Sequence, residues 1–468
     1  MEKRYSKDLT KGSVLKQLLI FTLPILLANI LQQFYHSADV IVVGNFARDS
    51  KIALAAVGST GTVTNLLINM FIGLSLGVNV VCANFYGAQD MKNYGKAVET
   101  GLIVAALSGV FISVCGFFLA RPILAAMDLP ETVLDHAVTY MKIIFLGQPG
   151  SLIYNFGSGI LRARGDTKRP MYILSVAGVI NVVLNLFFVV VFHLDSAGVA
   201  LATTVSHYVS AAFILAVLCH TENERRLNLL RLRFDRKIFS RIMKIGIPGG
   251  LNGMVFSISN LTIAKGIYSL GDTVIAANSA AGSIDGFTYQ ILVSFYTATI
   301  SFAGQNYGAK NLKRIDRLLW QSVAVTTAIY LFVFAFIAVF PRFFLGLFTR
   351  DAEVITAAVP RLYVMGLGYF IYILSDMSIG CLRGMGKSVV PTVLNAVMIC
   401  VPRLLWTSFV FPLHPTFSFL YLCYPISYVF SSASQLICYF GYRKKEQKKL
   451  DSEKAAAASE AEPTEQIF

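Results

Sequence analysis

Carboxylates are scarce in this chain: 26 Asp and Glu stand against 40 Lys and Arg in 468 residues, and charged residues of either sign make up only 14%. With 55% apolar residues, such a chain cannot clothe several soluble domains in a charged surface, so the bilayer is the expected solvent. Cysteine is sparse and badly spaced for chemistry. Cys82, Cys115, Cys219, Cys381, Cys400, Cys423 and Cys438 lie in apolar stretches without a CxxC pair, which argues against a disulfide framework or a zinc site. No HExxH, Walker-type glycine loop or dinucleotide fingerprint occurs, so ATP hydrolysis, redox chemistry and enzymatic function in general find no support. Gly73-Leu74-Ser75-Leu76-Gly77 matches the hydrolase pattern GxSxG, but that pattern needs a strand-to-helix elbow. Inside an apolar helical stretch the same residues read as a GxxxG packing face. No small-residue cleavage site follows the basic first 17 residues, so the first apolar stretch is expected to be retained as a helix.

What the chain does have is long apolar runs. A helix needs about 20 apolar residues to cross the hydrocarbon layer. Twelve such spans fall near residues 18–43, 53–81, 97–120, 133–160, 171–193, 197–219, 239–268, 273–303, 316–340, 354–381, 388–411 and 417–440. The expected fold is an all-α polytopic membrane protein with an N-terminal lobe over 1–219, a linker over 220–238 and a C-terminal lobe over 239–442. The stretch 443–468 opens with Arg443, Lys444 and Lys445, turns Ala/Glu-rich, and reads as a disordered tail held at an anionic lipid surface.

A net charge of +14 raises the question of nucleic acid, and the placement of the charges answers it. Lys3, Arg4, Lys7, Lys11 and Lys16 precede span 1, and Arg225, Arg226, Arg231, Arg233, Arg236, Lys237, Arg241 and Lys244 fill or flank the loop after span 6. Arg162, Arg164, Lys168, Arg169, Lys310, Lys313, Arg314 and Arg317 follow the same parity. The other parity carries only Arg48, Lys51, Arg121, Arg342 and Arg350. By the positive-inside rule both termini face the cytoplasm, in a multi-pass protein of the cell (inner or plasma) membrane, with no nucleic-acid partner.

The chain repeats itself at a shift of about 221 residues. Tyr86-Gly87-Ala88 answers to Tyr307-Gly308-Ala309, and Leu161-Arg162, Gly165 and Pro170 answer to Leu382-Arg383, Gly386 and Pro391. Pro24 and Pro248 open the first span of each half at a slightly different shift. Six spans per half leave both halves with the same orientation, related by a pseudo-two-fold axis along the membrane normal. A cavity between two lobes and a hinge in the linker follow from that symmetry.

Polar side chains in membrane helices are costly and usually face an interior or wet cavity. Span 1 carries Asn29, Gln32, Gln33, His36 and Asp39 on one broad face, span 2 has Asn65 and Asn69, span 5 has Asn181 and Asn185, and span 6 has Thr203, Ser206, His207 and Ser210. Asp39 is the one carboxylate among these faces. It is either an interfacial group late in its helix or, since Val40-Ile41-Val42-Val43 continue the apolar run, an interior one. His36 and His207 have no carboxylate cluster at ligand spacing and read as interior polar groups, with no metal site. Asn181 and Asn185 are equally readable as hydrogen-bond links between helices. In the second half Asp285 and Asp376 are the comparable carboxylates, and they are the expected counter-charges for a cationic substrate, with a structural pairing to a neighbour as the alternative. Lys265 lies near the outer end of span 7.

Residues 137–210 resemble the multidrug and toxic compound extrusion family of the prokaryotic NorM-like or DinF-like type. The resemblance is carried by Tyr140-Met141, Gly147-Gln148-Pro149, the run from Leu161 to Met171, Asn181-Val182-Val183-Leu184-Asn185 and the run from Ala197 to Thr203, with Pro24, Asn29, Gln33, Ala38-Asp39 and Val43-Gly44 in span 1. It implies a V-shaped pair of six-helix lobes acting as a monomeric secondary antiporter that exports amphipathic or cationic compounds against protons or sodium ions, with no other cofactor. The family's cation site carries over to Asp39, Asn181 and Thr203, with Asn185 alongside and Tyr140 nearby. Many members have Asp where this chain has Asn185, so one of two carboxylates is missing here. One titrating carboxylate is enough for proton exchange, while its loss weakens attraction for sodium, and protons are therefore the expected coupling ion. The span 7 glutamate of one subgroup is Phe256 here, and Asp376 lies about a turn from that subgroup's span 10 carboxylate. A flippase of lipid-linked saccharides from the wider superfamily is the alternative, with Arg361 and Arg403 as its interior cations. A major-facilitator transporter is disfavoured because its charged loop is absent after span 2.

Overall fold

The computed structural model describes residues 7–127, 129–221, 227–229 and 231–461. In order, the helices are α1 (Val14–Phe46), α2 (Ser50–Gly87), α3 (Met91–Ala125), α4 (Glu131–Leu146), α5 (Gln148–Ala163), α6 (Lys168–Leu186), α7 (Asp195–Thr221), α8 (Arg236–Tyr268), α9 (Asp272–Gly308), α10 (Leu312–Val339), α11 (Pro341–Gly346), α12 (Ala352–Gly384), α13 (Val389–Leu405), α14 (Phe417–Tyr421) and α15 (Cys423–Ala461). Among the described residues they make twelve helical rods, in two lobes of six. Span 4 is α4 and α5, broken at Gly147 because Pro149 sits in the first turn of α5 and has no N–H to continue the ladder. Among the described residues, eight rods carry a run long and apolar enough to cross a membrane unaided. The others, formed by α4 with α5, α8, α9, and α14 with α15, are split or thinned by glycine, serine and asparagine, the residues that let helices approach closely inside a bundle.

The repeat is written into the backbone. Gln89 and Lys310, 221 residues apart, both adopt a left-handed φ, 57° and 56°, and Gly165 and Gly386 do the same at 84° and 77°. Asp90 caps α3 through the Asn93 amide, and Asn311 caps α10 through the Arg314 amide. A π-helical turn closes α6 at Phe187–Val191 and α13 at Trp406–Val410.

The lobes meet on this axis at the end that carries both termini. A Cβ on Gly87 would lie 1.9 Å from the Gln305 carbonyl oxygen, and one on Gly308 would lie 2.0 Å from that of Asn84, the residue equivalent to Gln305. Only glycine permits that approach. The first helix of each half also begins on the opposite lobe. Val14, Leu18, Phe21 and Ile25 of α1 belong to the C-lobe core, and Ile238, Ile242 and Ile245 of α8 belong to the N-lobe core. Farther along, Gly73 and Gly77 of α2 press on Gly250 and Gly246 of α8, so the GxxxG reading holds. Asn79 bonds Ser301, and Asn29 bonds Ser294, across the same seam.

The residues before α1 seal this end. Leu9 is fully buried, its N–H donates to Gln305 and its carbonyl accepts from Asn306 and Arg314. Arg314 also holds the carbonyls of Lys11 and Gly12, while the Lys7 N–H reaches the Arg164 carbonyl on the other lobe. Burial of one such leucine stabilises by about 1.5–3 kcal/mol.

The tail departs from expectation. From Arg443 it is helical as far as Ala461, since Ala, Glu, Lys and Gln are strong helix formers, and it docks by ion pairs of Arg443 with Asp316, Lys387 with Glu446 and Lys310 with Glu453. The remainder of the tail, 462–468, lies outside the described residues, as do Arg225 and Arg226 of the linker.

Candidate functional site

Three helices of the N-lobe converge on one carboxylate. Asp39, near the C-terminal end of α1, is 8% exposed. Asn185 on α6 donates its amide to Asp39 Oδ1 at 2.5 Å, and Thr203 on α7 donates its hydroxyl to Oδ2 at 3.4 Å. The second proton of the Asn185 amide goes to Asn181 Oδ1 at 3.2 Å, and Asn181 in turn donates to Thr203 Oγ1 at 3.1 Å. The i, i+4 spacing of Asn181 and Asn185 produces this geometry by stacking both on one face of α6. Tyr140 of α4 lies within electrostatic reach of Asp39. Hydrogen bonds thus join Asp39, Asn181, Asn185 and Thr203 from α1, α6 and α7, while Tyr140 of α4 makes none with them among the described residues.

The chemistry of this cluster is unusual in one respect. Among the described residues, no Lys or Arg forms an ion pair with Asp39. A buried carboxylate without a cationic partner is costly, and two hydrogen bonds do not cancel its charge. The Asn185 carbonyl oxygen is buried and accepts no hydrogen bond. The site therefore offers a negative group and a spare oxygen to a small cation or proton. The side chains of His36, Asn65 and Asn69 lie outside the described residues.

The two C-lobe carboxylates are placed differently from each other. Asp285 on α9 is ion-paired with Arg361 on α12 at 2.9 Å, both largely buried, so its charge is already matched, in line with the structural alternative. Asp376 on α12 is 7% exposed and lies within electrostatic reach of Tyr372, one turn earlier, and of Arg383. Tyr289, Tyr296, Tyr330, Tyr369 and Tyr428 lie within electrostatic reach of one or both of them. Arg403 is buried among aromatic rings. That setting needs α8, α13 and α15 together, and the sequence shows only a charged residue in an apolar run. The contacts of Leu9 with Gln305 and Arg314 have one signal in the sequence, an isolated leucine in a basic stretch.

Comparison with known proteins agrees with this architecture. The profile of the MatE family matches residues 24–187 and 248–405, one block in each lobe. Over 454 residues, 96% of this chain and 99% of the relative, the chain is 28% identical to a Bacillus subtilis (strain 168) protein named probable multidrug resistance protein YpnP. It is 22% identical, over 84% of its length and 87% of the relative's, to multidrug export protein MepA of Staphylococcus aureus (strain MSSA476). A solved MOP superfamily transporter from Pyrococcus furiosus, described by a reverse polarity of its binding pocket that suggests a different function, matches with a TM-score of 0.86 at 22% identity, covering 94% of this chain and 98% of that one. An outward-facing multidrug resistance MATE family transporter of the MOP superfamily matches with a TM-score of 0.85 at 22% identity and the same coverage. With a family profile running through both halves of a twelve-span repeat, this chain belongs to the MatE family of membrane transporters.

Proposed function

We propose that this transporter is a cation-coupled antiporter of the cell membrane, with both termini cytoplasmic, that exports amphipathic or cationic small molecules by alternating access between its lobes. Relatives named as multidrug resistance and export proteins support the small-molecule class. The observation that carries the coupling role is Asp39, a buried carboxylate with amide and hydroxyl partners and, among the described residues, no Lys or Arg paired with it. Its charge is unbalanced unless an ion or proton arrives, which ties the stability of the N-lobe interior to occupancy.

Protons are favoured over sodium. A sodium ion wants several oxygen ligands, yet Asn185 presents its NH₂ group to Asp39 and would have to turn over to serve as one. A proton needs only the carboxylate. Cation recognition in the C-lobe then rests on Asp376, because Asp285 is committed to Arg361. The lipid-linked saccharide flippase reading loses one of its two interior cations, since Arg361 is paired with Asp285, and keeps Arg403.

The test is export by the purified protein in proteoliposomes. A proton gradient alone should drive efflux of a cationic dye, with a sodium gradient as the comparison. Strict dependence on ATP, or equal efflux without any gradient, would overturn the proposal.

A further inference from the structure

Arginine keeps its charge inside proteins, so a buried guanidinium needs partners for its five N–H groups. Two arginines of the C-lobe interior have strong ones. Arg361 is paired with Asp285, and Arg383 donates to the hydroxyls of Tyr296 and, at 3.0 Å, Thr392.

Arg403 differs from both. It lies in the last turn of α13, 1% exposed, and its Nε donates to Ser427 at 3.2 Å. Its two terminal nitrogens, Nη1 and Nη2, are buried and make no hydrogen bond of good geometry among the described residues; the Tyr428 hydroxyl is within electrostatic reach, and among the described residues no ion pair reaches it. Aromatic rings surround it instead. The guanidinium carbon is 4.0 Å from the ring centre of Tyr424, 5.4 Å from that of Tyr428 and 5.8 Å from that of Phe256. Ring faces attract the cation, but they leave the Nη fork unsatisfied. That fork is the edge of arginine that grips a carboxylate or phosphate through two parallel hydrogen bonds. Phe256 and Tyr424 are themselves only partly buried, so these two rings form the side of the cage from which a ligand would have to enter.

We propose that Arg403, with Tyr424, Tyr428 and Phe256, is an oxyanion-recognition site that takes the carboxylate or phosphate of an amphipathic ligand whose aromatic body stacks among these rings. The proposal rests on the small-molecule transporter reading and adds an acidic class of substrate to it. It divides the labour between lobes: Asp39 answers to the coupling ion and Arg403 to the acid group of the cargo.

Calorimetric binding to the purified full-length protein tests this, with 2-naphthoate, its uncharged isostere 2-naphthamide and the cation tetraphenylphosphonium as probes. Naphthoate is expected to bind at least about tenfold more tightly than naphthamide, the scale of one charge-assisted contact. Arg403→Gln should erase that preference while leaving tetraphenylphosphonium binding intact. Phe256→Glu, which sets a carboxylate beside the guanidinium, should erase it too, and it serves as the test if the Gln variant does not fold. Equal affinity of the wild type for naphthoate and naphthamide, or a preference that survives Arg403→Gln, would overturn the proposal. So would displacement by a polyprenyl phosphate with no binding of naphthoate, which would assign the site to a lipid carrier. Because binding is read without a gradient, failure here stays distinct from failure of gradient-driven dye export.

Discussion

Asn185 Nδ2 stands 2.5 Å from Asp39 Oδ1, tying α6 to α1 by an amide where a second acid would give two facing carboxylates. The consequence is a site with one carboxylate and, among the described residues, no Lys or Arg paired with it, and the first two predictions follow from it.

Asp39→Asn is expected to reduce gradient-driven export to the background of empty vesicles. An amide keeps the shape and the hydrogen-bonding capacity of the site, so stability should change by only about 1 kcal/mol, the value of a typical neutral hydrogen bond. Efflux in proteoliposomes together with a thermal unfolding midpoint checks both. Uphill export at the wild-type rate would place coupling elsewhere.

Asn185→Asp is expected to change the ion that drives transport. Two carboxylates at hydrogen-bonding distance do not both stay charged unless a cation sits between them. The variant should therefore acquire a sodium response or a displaced pH profile. Export measured under a proton gradient and then under a sodium gradient reads this directly, and unchanged ion dependence would argue that Asn185 is only a link between helices.

Gly87→Ala and Gly308→Ala each place a methyl group within about 2 Å of a backbone carbonyl on the opposite lobe. Backbone cannot yield as a side chain can, so each should cost about 1–3 kcal/mol and push the termini-bearing ends of the lobes apart. Gly95→Ala is the control, since its Cβ would meet nothing within 4 Å. Distances between spin labels on α2 and α9 should lengthen in the first two variants and stay as in wild type in the control.

Asp285→Asn should destabilise the C-lobe by about 3–5 kcal/mol, because it leaves the buried Arg361 guanidinium without its counter-charge. Removing both charges together should restore much of that loss. A double-mutant cycle on unfolding midpoints decides the point, and additive effects of the two single changes would show that the pair at 2.9 Å is not an energetic unit.

The docked tail should respond to acid. Partial burial opposes the charge of Glu446, but Lys387 and the Tyr307 hydroxyl outweigh it and hold the carboxyl below the ordinary glutamate range. A depressed carboxyl contributes stability that is present above its unfolded pKa and is lost as pH falls through its folded one. Hydrogen exchange over residues 443–456 should be slow at neutral pH and fast once the medium is more acidic than the ordinary carboxylate range. Glu446→Gln should exchange fast at both.

Local chemistry was enough for the helical spans, for the two halves and for the stacking of Asn181 on Asn185. Those features depend on spacing along one helix or on a repeat of short motifs, as with Asn181 and Asn185 one turn apart and Tyr86-Gly87-Ala88 recurring at Tyr307. The tail misled because its composition suits either a disordered chain or a solvated helix. Partners on three other segments, Asp316, Lys387 and Lys310, hold it as a helix.

Tertiary structure alone settled which charges are answered. Asp285 and Asp376 look alike as isolated carboxylates in apolar runs, and so do Arg361 and Arg403 as isolated cations. Asp285 meets Arg361 only because α9 packs against α12, and Arg403 finds aromatic faces only because α8 and α15 close around the end of α13. Helical periodicity is a property of neighbours in the chain, whereas the energy of a buried charge depends on what lies within a few ångströms in space, often a hundred residues or more away along the sequence.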